Sequence, residues 1–294
     1  MGRPRPRSFR RRLVQAAVSI GTNAYLPGFA KGTVYGGGLK AACAPGLNCY
    51  ACPGAVLSCP IGALQTQAAS AAPHIPYYLI GFFLVAGGVL GRFVCGFLCP
   101  FGLVQELLHK IPFARKLGTF RGDRPLRALK YVILALFVVL LPLCVDNAAG
   151  GGQPWFCEWI CPAGTLEGGV PLTLGVPALR RAIGFLFAWK MGILVALALL
   201  SAVLYRPFCR YLCPLGAIYA LFNRVALLRY RVDEAACTGC GSCAEGCPMA
   251  LDPRREPNHP ECVRCGRCTG LCPTGALSLQ GAKPFGPGST RPPS

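Results

Sequence analysis

The stretch CTGCGSCAEGCPMALDPRREPNHPECVRCGRCTGLCP, residues 237–273, decides how the chain is read. It contains Cys237-x2-Cys240-x2-Cys243-x3-Cys247-Pro248 and then Cys262-x2-Cys265-x2-Cys268-x3-Cys272-Pro273. Three thiolates at this spacing wrap one corner of a [4Fe–4S] cubane in a tight turn. The fourth cysteine starts the next helix and points to the other cluster. One cluster would take Cys237, Cys240, Cys243 and Cys272, the other Cys262, Cys265, Cys268 and Cys247. Gly239, Gly241, Gly266 and Gly270 let backbone amides approach the sulfurs. Zinc favours separated pairs of cysteines over four in one run, so the spacing speaks for clusters.

Outside this stretch the composition is that of a membrane protein. The chain has 294 residues, 53% of them hydrophobic and 14% charged, and a mean hydropathy of +0.46. Average soluble domains carry roughly 25% charged residues. An apolar content this high also excludes a disordered chain. The formal charge is +19. Basic proteins often bind nucleic acid through one basic face. Here the charges sit beside apolar runs, so membrane topology explains them and no nucleic-acid partner is expected. An odd cysteine count of 19 with dense Cys-Pro pairs speaks against a secreted disulfide scaffold.

Four spans are expected, at about 13–30, 77–98, 126–145 and 183–205, each near the roughly 20 residues a bilayer demands. The first is polar for a span, and a signal peptide or twin-arginine signal is its rival. Lys and Arg number six before residue 13, two in 31–76, seven in 99–130, two in 146–182 and eleven after 205. The positive-inside bias then puts both termini and the 99–125 loop in the cytoplasm, with 31–76 and 146–182 outside. Residues 1–12 read as a basic cytoplasmic N-terminus, 13–231 as a membrane domain, 232–282 as a cytoplasmic two-cluster domain and 283–294 as a disordered tail. The fold class is an α-helical membrane protein of about four helices with a C-terminal α+β domain, strands being confined to that domain. Lys190 lies inside the last span and reads as an interfacial anchor.

The remaining cysteines fall at the two faces. Cys95-x3-Cys99-Pro100 and Cys209-x3-Cys213-Pro214 end two spans on the cytoplasmic side. Residues i and i+4 share a helix face, so Cys95, Cys99, Cys209 and Cys213 form a candidate inner site for a cluster, for redox thiols or for copper. Cys49, Cys52, Cys59, Cys157 and Cys161 form a candidate outer site, for a cluster or for disulfides. Cys43 and Cys144 read as simple buried cysteines. Cys-Pro-x-Gly recurs at Cys59, Cys99, Cys161, Cys213 and Cys272, which suggests two membrane halves built alike. The two layers are expected about 30 Å apart, the thickness of the hydrocarbon core, with a quinone or another subunit's cofactor bridging them.

The last third resembles bacterial two-cluster ferredoxins. With its spans and Cys-x3-Cys-Pro helix ends, the whole of residues 11–282 resembles the NapH-like membrane iron–sulfur proteins, a polyferredoxin-type family related to NosR and CcoG types. The resemblance implies a multi-pass protein of the bacterial inner membrane, its ferredoxin domain cytoplasmic. It implies electron transfer between the quinone pool, or a separate redox partner protein, and [4Fe–4S] clusters: two in the ferredoxin domain, with one or two further clusters and quinone as additional cofactors. Membrane lipid is the remaining partner. The outer cysteines around Asn48–Ala55 and Trp155–Gly168 depart from the nitrate-reductase pattern. A metallocentre assembly factor that reduces copper or thiols, and a redox-sensing membrane regulator, are the alternatives. No catalytic residue is assigned. No histidine lies in a span, which excludes a cytochrome b. His74 and His109 are open to a quinone role, though satisfied surface histidines are the plainer reading, and His259 reads as structural. No G-x-G-x-x-G fingerprint follows a strand, so a bound dinucleotide is not expected.

Overall fold

The computed structural model describes residues 7–70, 75–112, 116–145, 152–181 and 183–281. The expected tail 283–294 and His74 lie outside the described residues. The first expected span, 13–30, is not one helix. The helix Arg7–Thr22 stops where Thr22 Oγ1 bonds back to Val18 O (2.9 Å) and Asn23 Nδ2 to Ser19 O (3.0 Å). These side chains take the carbonyls that further turns would use, and Pro27 opens a separate short helix, Pro27–Lys31.

The run 77–98 is also split, into Tyr77–Leu90 and Phe93–Phe97. The break is Gly91, held at φ +54, where a Cβ would stand 3.1 Å from both Ala226 and Asn223. Helical structure runs through Asp123–Cys144 and Phe185–Val203, and these two helices are long and apolar enough to cross a membrane. Only 22% and 17% of their most apolar windows are buried in the protein, so Val132, Leu136, Val139 and Leu199 face outward. Among the described residues the apolar helices are these two and the shorter Tyr77–Leu90. Within 123–144, Leu134–Leu140 is a π-helical stretch two residues before Pro142, and Thr165–Gly169 is another two residues before Pro171. The wider turn relieves the clash of each proline ring with the carbonyl four residues back.

The helix Pro100–His109 packs on Phe185–Val203 and Arg7–Thr22, and Pro214–Phe222 packs on Tyr77–Leu90. One apolar core runs through this body and includes Cys43, Cys59, Cys95, Cys99, Cys161 and Cys213. The C-terminal domain is bracketed by strands β1 (Arg229–Val232) and β2 (Leu277–Gln280), antiparallel, with Arg229 opposite Gln280 and Val232 opposite Leu277. Buried cations fasten it to the body. Arg92 donates to Pro260 O (3.0 Å), Glu261 Oε2 (2.9 Å) and Cys209 O (3.2 Å). Lys130 joins it on Glu261. Arg264 donates to Leu90 O (3.0 Å) and Asn223 O (2.6 Å).

Candidate metal centres

Cys59, Cys99, Cys161 and Cys213 each hold the N-cap of a helix in extended backbone, with proline at the first helical position. Proline there has no amide to waste. The glycine three residues on stands in that first turn, and at Cys213 its amide reaches the sulfur: Gly216 N–H donates to Cys213 Sγ at 3.3 Å. Gly62, Gly102 and Gly164 hold the same place at the other three caps. This is the physical content of the Cys-Pro-x-Gly repeat: a cysteine at the N-cap, a proline that needs no partner and a glycine with no side chain beside the sulfur.

Two quartets form around these caps. Cys99 and Cys213 lie within electrostatic reach of Cys95 and Cys209, so the structure brings together all four residues of the expected inner site. Cys161 lies near Cys157, Cys49 and Cys59, and these four line one cavity of about 360 Å³. Gly62 and Gly164 complete its wall. A Cβ on Gly62 would stand 4.0 Å from Cys157 Sγ, and one on Gly164 3.7 Å from Cys49 Sγ. Cys52 is buried beside this cavity but does not line it. Of the five expected outer residues the structure gathers four around this cavity. Cys43 is buried, its N–H bonded to Tyr78 Oη (3.0 Å). Cys144, expected buried, is exposed, because it ends its helix on the outward side. No two of the cysteines are joined in a disulfide among the described residues.

The layers are not separated by the thickness of a bilayer. The loop that carries Cys49 packs directly on Cys99 through Gly46. Cys49 follows Gly46 by three residues, so its Cα lies within about 16 Å of the Cys99 Cα. The loop 42–59, expected outside, reaches in. A Cβ on Gly46 would stand 2.8 Å from Cys99 Cα, and Tyr219 Oη donates to Pro45 O (2.9 Å).

The C-terminal thiols continue the series. Cys247, Cys262, Cys265 and Cys268 lie within mutual electrostatic reach and line one small apolar cavity. Cys243 lies near Cys272, and Cys240 is exposed. A Cβ on Gly96 would stand 2.3 Å from Val263 O. That contact sets Cys95 and Cys262, each one residue away, within about 14 Å at their Cα atoms.

Charge is arranged around the thiols. Burial pushes the Cys49 thiol up to about 12 and the Cys262 thiol up to about 12, so both are neutral until a metal displaces the proton. Glu167 accepts from Cys49 N–H (2.7 Å), and burial raises its carboxyl to about 7. Lys190 does not reach for the interface: its Nζ donates to Cys157 O (3.1 Å) and lines the outer cavity. Arg206 donates to Cys95 O (2.5 Å) and pairs with Glu106 (2.7 Å). His109 bonds Ser201 O through Nδ1 (3.1 Å) and lines a cavity of about 540 Å³ with Tyr205, Glu106 and Cys265. His259 is structural, its Nδ1 accepting from Glu261 N–H (3.0 Å).

Sequence reasoning missed Gln65 and Gln105. Each sits three residues after a Cys-Pro-x-Gly glycine and donates to a thiol, Gln65 to Cys157 Sγ and Gln105 to Cys209 Sγ, both at 3.1 Å. Extending the repeat to Cys-Pro-x-Gly-x-x-Gln would have found them.

A helical body with paired Cys-Pro helix caps, carrying a double ferredoxin motif, defines a polyferredoxin. A family model described as a 4Fe-4S binding domain matches residues 73–119, 131–171 and 186–232, and another of that description matches 230–250. The chain is 32% identical over 202 residues to an uncharacterized protein of Methanocaldococcus jannaschii, covering 67% of each chain. It is 32% identical over 196 residues to the ferredoxin-type protein NapH of Haemophilus influenzae, covering 64% of this chain and 60% of that one. It is 31% identical over 171 residues to the methylamine utilization ferredoxin-type protein MauN of Paracoccus denitrificans, covering 58% and 52%. No solved structure matches significantly. The chain belongs to the NapH-like family of ferredoxin-type 4Fe–4S proteins.

Proposed function

We propose that this protein is a membrane-bound electron-transfer protein with four [4Fe–4S] sites in series. The residues that would hold them are Cys49, Cys59, Cys157 and Cys161; Cys95, Cys99, Cys209 and Cys213; Cys247, Cys262, Cys265 and Cys268; and Cys237, Cys240, Cys243 and Cys272. Clusters bound there would supply one-electron chemistry, each accepting and releasing an electron with little rearrangement. The observation that carries this reading is the close approach of the 42–59 loop to the inner quartet, with Gly46 packed on Cys99 three residues before Cys49.

The donor sets fit clusters better than single ions. Among the described residues no three His, Cys, Asp or Glu side chains converge closely enough for one metal ion, whereas the outer thiols surround a void. Apolar side chains on Asp123–Cys144 and Phe185–Val203 turn outward, as lipid-facing helices do. The cavity at His109, Tyr205 and Cys265 offers a quinone headgroup hydrogen-bonding partners beside a ferredoxin-motif thiol. Its neighbours Arg11, Lys116 and Arg267 would favour reduced, anionic forms. Our reading places this cavity and the ferredoxin domain on the cytoplasmic side, by the charge bias of the sequence.

Iron and acid-labile sulfide on anaerobically purified protein test the assignment. About sixteen irons per chain, with spin-coupled EPR signals after dithionite, are expected. About eight would leave only the ferredoxin pair and sink the series.

A further inference from the structure

We propose that Gln65 and Gln105 are paired potential-setting residues, each donating an amide N–H to one cysteine sulfur of the buried quartet it faces. The inference rests on the reading that both quartets hold clusters.

The two glutamines make the same three bonds. Gln65 Oε1 accepts from Phe156 N–H (2.9 Å), while Nε2 donates to Ile61 O (3.4 Å) and Cys157 Sγ (3.1 Å). Gln105 Oε1 accepts from Phe208 N–H (3.0 Å), while Nε2 donates to Phe101 O (3.4 Å) and Cys209 Sγ (3.1 Å). The backbone N–H fixes which end of each amide is oxygen, so it is the NH2 that must face sulfur. Both side chains are fully enclosed, with Gln65 0% and Gln105 2% exposed. A residue needed only for volume would be served by leucine or methionine, at no cost in buried polar groups.

The surroundings of the two glutamines differ, which isolates what they share. Gln65 is followed by Thr66, whose hydroxyl bonds Gly62 O (3.0 Å). Gln105 is followed by Glu106, which is locked in ion pairs with Arg11 and Arg206. The cations near the quartets differ too, Lys190 at one and Arg92 with Arg206 at the other. The glutamine–sulfur bond is common to both halves. An N–H donated to a ligating sulfur stabilises the form with more negative charge, and more strongly where water is excluded. It therefore favours the reduced state and raises the potential.

The test is a redox titration followed by EPR on Gln65→Met and Gln105→Met, which keep the side-chain length and remove the donor. Each variant is expected to retain wild-type iron and sulfide, and to lower the midpoint potential of one centre while leaving the others unmoved. Gln105→Glu keeps an acceptor for Phe208 N–H and replaces the amide donor by a carboxyl. Its centre is expected to titrate lower than wild type and with a pH dependence that the wild type lacks. Full iron with unmoved potentials in the Met variants would overturn the proposal. If those variants lose iron, an unshifted centre in Gln105→Glu would overturn it. A wild-type count of about eight irons would remove the quartet reading and this proposal together, whereas about sixteen with unmoved potentials would remove the glutamine role alone.

Discussion

Glu106 is a buried acid held between two buried arginines. Arg11 grips it with two nitrogens at 2.7 and 2.6 Å, Arg206 pairs at 2.7 Å and Tyr205 Oη donates as well. Burial alone would raise its carboxyl, but Arg206 and Arg11 outweigh burial and hold it at about 2, below the ordinary 4.5. The difference corresponds to about 3 kcal/mol. A depressed carboxyl contributes fully above its unfolded pKa, and the contribution drains away as pH falls from about 4.5 through about 2. Thermal melts from about pH 6 to pH 3 should therefore show a steeper loss in wild type than in Glu106→Gln. Parallel curves would mean that the ion pairs add nothing. Gly96 gives a second residue-scale prediction. Val263 O leaves no room for a Cβ, at 2.3 Å, so Gly96→Ala should cost about 1–3 kcal/mol in denaturant unfolding. Gly88→Ala, with nothing within 4 Å, should be neutral or stabilising by roughly 0.5–1 kcal/mol.

At the scale of elements, the loop between the two C-terminal motifs is a docking device as much as a linker. Glu261 receives both Arg92, in the turn before Phe93–Phe97, and Lys130, in the helix through Asp123–Cys144, so one carboxylate ties the ferredoxin domain to two parts of the body. Asn223, at the end of Pro214–Phe222, adds bonds to His259 O (2.7 Å) and Cys262 O (3.1 Å). A buried pair stabilises little over an apolar substitute, but breaking one strands its partner at about 3–5 kcal/mol. Glu261→Gln should leave two buried cations without their anion. Limited proteolysis should then release the ferredoxin domain faster than in wild type, with its own iron still bound. Equal release would show that Arg264 and Asn223 hold the domain without the ion pairs.

Across the whole molecule, the cysteine quartets run without a wide gap from the outer cavity to the exposed Cys240. The bilayer thickness that separates the ends of a spanning helix does not separate the outer and inner thiols, because residues 42–59 fold into the body. Holoprotein in quinone-free vesicles, with an oxidant trapped inside and dithionite outside, should therefore carry electrons across. Transfer that appears only after quinone is added would mean that the quartets do not suffice as a path.

The sequence by itself determined the two ferredoxin motifs, Cys237 to Cys247 and Cys262 to Cys272, because the cysteines of each lie within a turn or two of each other and local chain geometry dictates the spacing. It also determined the Cys-Pro-x-Gly caps, since a proline at the first helical position and a glycine amide two residues further on are local events. The choice between Cys49 and Cys52 lay beyond it. They are three residues apart, and only Cys49 has its N–H bonded to Glu167, more than a hundred residues later, and its sulfur in the cavity with Cys157 and Cys161. The depth of residues 42–59 lay beyond it too. Hydropathy and charge counts report the side of the membrane to which a segment belongs. How far that segment folds back is decided by contacts such as Asn23 Nδ2 to Asn48 Oδ1 (2.8 Å), Tyr219 Oη to Pro45 O (2.9 Å) and Gly46 against Cys99. Each of these joins residues distant in sequence, so none leaves a periodic trace in the chain.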